Sequence, residues 1–262
     1  PSATSPGLTG LDDKGFFFRT APSDARGGQI LADITKDRKI KSVAITYTNN
    51  DYGKGLADVY EAAVKAHGIK VTTVAAHEDG KADYTAEVST LASAGGDAIA
   101  VIGYLDQGGK GIIQGSLDSG AFDTFILSDG MIGDSLTDAF GKNLNKSFGS
   151  LPGSTGKGAG VFAKVAKDGG IDSSGPYTGE SYDAAALLIL AMQAGGSADR
   201  ASIAKNVMSV ANGPGKKIYP GELKKALDLL ANGKAVDYEG ATGVSFTDVG
   251  EAFGSFLEKE IK

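Results

Sequence analysis

Residues 39–78, KIKSVAITYTNNDYGKGLADVYEAAVKAHGIKVTTVAAHE, read as strand, turn, helix and strand. KIKSVAITY (39–47) is rich in β-branched residues and runs into the turn cluster TNNDYG. KGLADVYEAAVKAHG (54–68) then repeats apolar residues at Leu56, Val59, Tyr60, Ala63 and Val64, a helical stripe that Gly68 closes at its C-terminal end. IKVTTVAAHE (69–78) is the next strand. The alternation continues with a helix over 83–96, with Asp83 as its N-cap and Gly95 past its end. DAIAVIGY (97–104) follows, an almost unbroken apolar run of the kind buried on both faces of a parallel sheet. A helix over 106–119 and the strand FDTFILSDG (122–130) complete a β-α-β-α-β-α-β order, the signature of a doubly wound α/β sheet.

Beyond residue 150 the texture changes. LPGSTGKGAG (151–160) reads as a linker or crossing segment, and mainly helices follow: 157–168, a long one around 177–195, 199–212 and 219–232. The tail GATGVSFTDVGEAFGSFLEKEI (240–261) returns to strand character with a turn at Asp248–Gly250. The second half therefore supplies helices with few strands for them to cover.

Composition narrows the function classes. The 262 residues are 41% apolar and 22% charged, ordinary for a globular protein, and 39 of them are Gly, about twice the usual share. No Gly-X-Y period accompanies the glycines, so they imply tight turns rather than collagen. Lys plus Arg at 26 against Asp plus Glu at 32 leaves a net charge of −6, with no basic face for nucleic acid. With no Cys, thiol nucleophiles, disulfides and zinc ribbons are excluded, and the two histidines, His67 and His77, cannot build a His-rich metal site alone. The longest uncharged run, Ala184–Ala198, is 15 residues, short of the ~20 that a membrane span needs. The opening PSATSPGLTG lacks the basic and apolar regions of a signal peptide, so a leader is expected to have been removed or to lie outside this sequence.

No catalytic constellation emerges. Asp12 and Asp13 in GLDDKG read as a solvated turn rather than as an acid/base pair. GSTGKGAG (153–160) lacks the phosphate-loop spacing, GYLDQGGKG (103–111) is not a dinucleotide fingerprint, and no Gly-x-Ser-x-Gly elbow is present. His67 fits a helix C-terminus, and His77, at a strand end, reads as surface-exposed. Without a nucleophile–base pair, a flavodoxin-like or hydrolytic enzyme is disfavoured, and neither catalytic residues nor cofactor nor metal are expected.

The strand ends are more informative. Tyr52 follows the first strand, Tyr104 the third and Asp129 the fourth. Open α/β sheets bind ligands outside the carboxyl ends of their strands. Two aromatic faces beside one anion suit a ligand ammonium group. Each residue also has a plainer reading: Tyr52 as a turn residue, Tyr104 as a lid on the core, Asp129 as the first residue of a turn.

Six stretches, in one order, resemble the type I periplasmic substrate-binding proteins of ABC transporters, in the branched-chain and general amino-acid (leucine/isoleucine/valine-binding-protein-like) group. They are PSATSP (1–6), GFFFRTAPSD (15–24), AITYTNNDYGKG (44–55), EDGKADYTAEVSTLASAGGDAIAVIGY (78–104), GESYDAAALLILAMQAGG (179–196) and YEGATGVSFTDVGE (238–251). The resemblance covers essentially the whole chain but only the later two-thirds of a family member. It implies the type I periplasmic-binding-protein fold, two doubly wound lobes joined by three crossing strands. Residues 24–150 plus 248–262 would form one complete lobe. Residues 1–23 plus 152–247 would form a partial second lobe, whose N-terminal sheet portion lies outside this sequence, leaving an apolar helix surface uncovered.

The resemblance also implies a function. It is that of a periplasmic receptor, or a lipid-anchored extracellular one in a single-membrane bacterium. As a monomer it would bind a free amino acid in an interlobe cleft and deliver it to an ABC permease. Ser2 and Thr4 match residues that hold the α-carboxylate, Tyr52 and Tyr104 match aromatic residues around the α-amino end and side chain, and Asp129 matches the acid that accepts the α-ammonium. Branched-chain receptors usually carry Glu at that last position, so the shorter Asp129 leaves the ligand's side-chain class open. The alternatives are the same fold binding an amide, a small carboxylate or an aromatic acid, and a ligand-sensing domain of a regulator or receptor.

Overall fold

The computed structural model describes residues 1–261. The first part of the chain alternates helix and strand: α1 (Asp24–Asp37), β1 (Ser42–Thr48), α2 (Asp51–Ala66), β2 (Lys70–His77), α3 (Thr85–Ala94), β3 (Ala98–Ile102), α4 (Lys110–Ser119), β4 (Phe125–Leu127), α5 (Asp134–Phe140) and β5 (Phe148–Pro152). The remainder is α6 (Lys157–Asp168), α7 (Thr178–Gly195), α8 (Arg200–Ala211), β6 (Lys216–Ile218), α9 (Leu223–Ala231), β7 (Val236–Tyr238) and β8 (Phe256–Glu260). Among the described residues no helix is long and apolar enough to cross a membrane.

The chain forms two compact units. One comprises residues 1–4, 8–23 and 152–255; the other comprises 5–7, 24–151 and 256 onward. Residues 248–255, which the resemblance joins to the 24–150 segment, belong instead with the first unit. Backbone pairing there is the reason: Glu251 bridges to Arg19 and Ala252 to Phe246.

The second unit is a doubly wound sheet in the order β2-β1-β3-β4-β5-β8, with β1 to β5 pairing in parallel. β3 shows why the run DAIAVIGY is apolar throughout. Successive strand residues face opposite sides. Ala98, Ala100 and Ile102 join a core with Leu31 of α1 and Leu56, Tyr60 and Val64 of α2. Ile99 and Val101 join the opposite core with Val88 and Leu91 of α3 and Ile112 and Ile113 of α4. Each of the larger side chains, Ile99, Val101 and Ile102, contributes about 1.5–3 kcal/mol by leaving water and each alanine methyl less, so both faces of β3 favour this pairing.

Several boundaries differ from the sequence reading, each for a local reason. α3 starts after Tyr84, and Asp83 is one residue outside the cap, where its Oδ1 accepts from the Thr85 N–H at 2.6 Å. The helix expected over 106–119 opens with a π-helical turn, Leu105–Gly109, before α4. Of the expected strand 122–130 only Phe125–Leu127 pairs, because Asp129–Met131 coil into a 3-10 turn. LPGSTGKGAG is linker only at its centre: Leu151 and Pro152 end β5, and Lys157 begins α6. The sequence reading names none of α1, α5, β5, β6 and β7.

In the first unit α7, α8 and α9 pack around the two-stranded parallel sheet β6-β7. Leu187, Leu190, Val207, Val210, Ile218, Val236, Tyr238 and Phe246 form this core. Asp183 pins the adjoining loop. It is fully buried, and its carboxylate accepts from the Tyr238 hydroxyl, the Ala241 and Thr242 N–H groups and the Thr242 hydroxyl at 2.7–2.9 Å.

Candidate functional site

The carboxyl ends of β1, β3 and β4 bring three of the expected residues together within the second unit. Asn50 starts the arrangement. In extended conformation it caps α2, its Oδ1 accepting from the Gly53 N–H at 2.9 Å, a cap worth about 1 kcal/mol. α2 approaches β1 so closely that a Cβ on Gly53 would collide with the Thr48 carbonyl. Tyr52, in the first turn of α2, thereby reaches across the sheet edge.

The Tyr52 hydroxyl donates to Asp129 Oδ1 at 2.7 Å and lies 3.1 Å from Ser128 Oγ. Ser128 Oγ accepts from the Gly103 N–H at 3.2 Å, which ties the end of β4 to the end of β3. The 3-10 turn holds Asp129 in place, with the Met131 N–H donating to Ser128 and the Ile132 N–H to Asp129. Tyr104 leaves β3 and stacks on Tyr52, ring centroids 5.2 Å apart at 28°. Gly130 is required beneath them: a Cβ there would collide with the Gly103 carbonyl and stand 3.2 Å from the Tyr52 hydroxyl.

Burial, reinforced by the charges of Asp129 and Asp24, pushes the Tyr52 phenol well above its ordinary range. Burial likewise raises Tyr104, with the charges of Asp79, Asp129 and Asp24 adding and the neighbouring Asn50 side chain opposing. Both therefore remain neutral donors. Asp24, at the head of α1, is buried, and with Ser128, Asp129 and Ser150 it lines a small cavity walled by Leu31, Leu56 and Phe256. The surface here thus combines carboxylate, hydroxyl donors and aromatic faces, chemistry suited to a cation.

Ser2 and Thr4 belong to the first unit, in a segment without helix or strand; Ser2 is exposed and Thr4 buried. Sequence reasoning missed Asn50, Ser128 and Asp24. Asn50 was legible as the cap residue of TNNDYG and Ser128 as the neighbour of Asp129, whereas nothing local marks Asp24. The Asp12–Asp13 pair is a turn, with Asp13 Oδ1 accepting from the Gly15 N–H at 3.0 Å. His67 is the C-cap of α2 and pairs with Asp33 at 2.7 Å. His77 is a correction: it is buried, not exposed. Thr46 Oγ1 and His77 Nδ1 share a hydrogen bond at 2.9 Å, and the Tyr84 ring meets the imidazole edge-on at 6.2 Å.

A model of the periplasmic binding protein family matches residues 1–225. The Leu/Ile/Val-binding protein homolog 3 of Brucella melitensis is 38% identical over 112 residues, 42% of this chain and 30% of the relative. The chemotactic signal transduction system substrate-binding protein BasB of Halobacterium salinarum is 27% identical over 272 residues, 100% of this chain and 63% of BasB. The chain thus spans less than two thirds of either curated relative. The crystal structure of the leucine-binding protein LivK of Thermotoga maritima has the same fold, with a TM-score of 0.75 at 21% identity, over 96% of this chain and 66% of LivK.

Proposed function

The chain belongs to the periplasmic binding protein family, and from that premise we propose that it is an extracytoplasmic solute receptor for a free amino acid, branched-chain or similar, which it delivers to an ABC permease. The observation that carries this reading is the Asp129 carboxylate at the sheet edge, fixed by the Tyr52 hydroxyl at 2.7 Å next to the stacked faces of Tyr52 and Tyr104.

In this reading Asp129 accepts the ligand's α-ammonium and the tyrosine faces line its α-amino end and side chain. Ser2 and Thr4 take the α-carboxylate through backbone groups and hydroxyl. A zwitterion leaving water needs both charges paired, since an unpaired buried charge costs several kcal/mol. An ammonium over an aromatic face gains about 0.5–2 kcal/mol more. The receptor acts outside the cytoplasm, in the periplasm or lipid-anchored on a single-membrane cell, as a monomer.

A thermal-shift panel of amino acids, their amides and small carboxylic acids tests the proposal. A ligand that binds only the folded state raises stability with its concentration by mass action. One or a few amino acids should stabilise the protein, and Asp129→Asn should remove that shift while leaving the ligand-free melting temperature in place. A shift by amides or acids alone, unaffected by Asp129→Asn, would overturn the amino-acid assignment and leave only the family.

A further inference from the structure

Residues 1–4 have no helix or strand of their own, so side chains that reach their backbone help to set its position. One of these comes from inside the first unit. Arg19 is 1% exposed. Its main chain is bridged to Glu251: the Arg19 N–H donates to the Gly250 carbonyl at 3.0 Å, and the Ala252 N–H donates to the Arg19 carbonyl at 3.1 Å. With the backbone held, the guanidinium divides its donors. Nη1 donates to the Ala3 carbonyl at 3.2 Å, and Nη2 donates to Thr9 Oγ1 at 3.0 Å and to the Glu251 carboxylate. The Thr9 hydroxyl donates in turn to the same Glu251 oxygen.

Ala3 is the residue between Ser2 and Thr4. We infer that Arg19 is a positioning residue for recognition of the ligand's carboxylate: it fastens the Ala3 carbonyl and so fixes how Ser2 and Thr4 present their N–H and hydroxyl donors. The inference rests on the reading of Ser2 and Thr4 given above. Arginine suits this task because its planar fork serves a backbone carbonyl, a hydroxyl and a carboxylate at once, which a lysine ammonium on a flexible stem cannot do in the same geometry. Glu251 matters as much. It neutralises the guanidinium, so an incoming carboxylate meets neutral donors at residues 2–4 rather than a competing buried cation.

Two variants of the full chain test this. Arg19→Lys keeps the charge and loses the fork. The pair Arg19→Met with Glu251→Met removes both charges together and leaves neither stranded in the interior, which keeps the test available if the lysine variant folds poorly. The first measurement needs no ligand. Backbone NMR order parameters at Ala3 and Thr4 should drop from about 0.85 to below about 0.6 in both variants, while the amides of α7 stay rigid. Unchanged values would overturn the inference. The second measurement is calorimetric titration with leucine and leucinamide. Leucine should weaken by about tenfold, the worth of a well-made charge-assisted contact, and leucinamide much less, so that the preference for the acid collapses. Equal weakening of both would mean that Arg19 only supports the fold. If the wild type bound neither probe, the amino-acid reading would fall and the carboxylate role of Arg19 with it, while the order parameters would still decide whether Arg19 holds the Ala3 backbone.

Discussion

Tyr52 does two jobs with one side chain. Its ring forms half of the stacked pair with Tyr104, and its hydroxyl orients the Asp129 carboxylate at 2.7 Å. Burial and two neighbouring carboxylates push its phenol pKa up, so it acts as a neutral donor. These roles separate by substitution. Tyr52→Phe keeps the ring and loses the donor, and should weaken amino-acid binding by about 0.5–1.5 kcal/mol, the net worth of one hydrogen bond. Tyr52→Ala also removes the stack and should cost more. Calorimetric titration of both variants checks this: equal losses would leave the hydroxyl without a role. The residue types at positions 52, 104 and 129 were legible from their places at strand ends. That Tyr52 reaches Asp129 was not, because 77 positions separate them and only the parallel order of β1, β3 and β4 brings them to one edge.

β2 shows how an element's place in a sheet overrides its sequence pattern. It is one of the two edge strands, and most of its residues are only partly covered or exposed. A histidine at the end of such a strand reads as exposed, yet His77 is enclosed by Thr46 of β1, the Tyr84 ring and the close approach of Gly103 and Gly108. Burial pulls the imidazole pKa below its ordinary value, against the opposing charges of Asp79, Glu87 and Glu78. A lowered value in the folded state means that the unfolded chain binds the proton more tightly. The stability His77 confers is therefore present above about pH 6.5 and is lost as pH falls from there through its lowered folded value. His77→Gln, which can keep the bond to Thr46, should flatten that part of the profile. Melting temperatures of wild type and variant between about pH 7.5 and 5 measure the difference, and parallel curves would refute the assignment. The helices were easier to read. The expected ranges located α2, α6, α7 and α8 to within a few residues, α2 through its apolar stripe, whereas α5 and β5 are too short to carry a periodic signal of their own.

Across the whole chain, each unit has its own core. Two apolar layers enclose the sheet of the second unit, and the helices α7, α8 and α9 enclose β6-β7 in the first. Asp183 is the polar anchor of the first unit, with four donors on one buried carboxylate. Asp183→Ala leaves those donors without an acceptor, and should cost about 3 kcal/mol or more, since each orphaned buried group costs about 1–3 kcal/mol. Because the cores are separate, the loss should be local. Hydrogen exchange should accelerate over 178–246 while β1, β3 and β4 keep their protection; uniform acceleration would show one cooperative core instead. The first unit also carries an open apolar pocket lined by Phe16, Phe18, Leu187, Leu188, Ile203 and Val207, with Phe16 and Leu188 about half exposed.

By itself the sequence determined what depends on local order: the alternation of strands and helices over 39–130, the doubly burying run of β3, and the family, through six motifs in one order. Those signals survive because periodicity, turn residues and caps act over a few residues. Only the tertiary structure decided which distant groups meet. It placed Asp24 beside Ser128 and Asp129 around one small cavity, buried His77, assigned residues 248–255 to the first unit and set Arg19 between Ala3, Thr9 and Glu251. A buried polar group is tolerated where partners converge on it from elsewhere in the chain, and no window of neighbouring residues encodes that convergence.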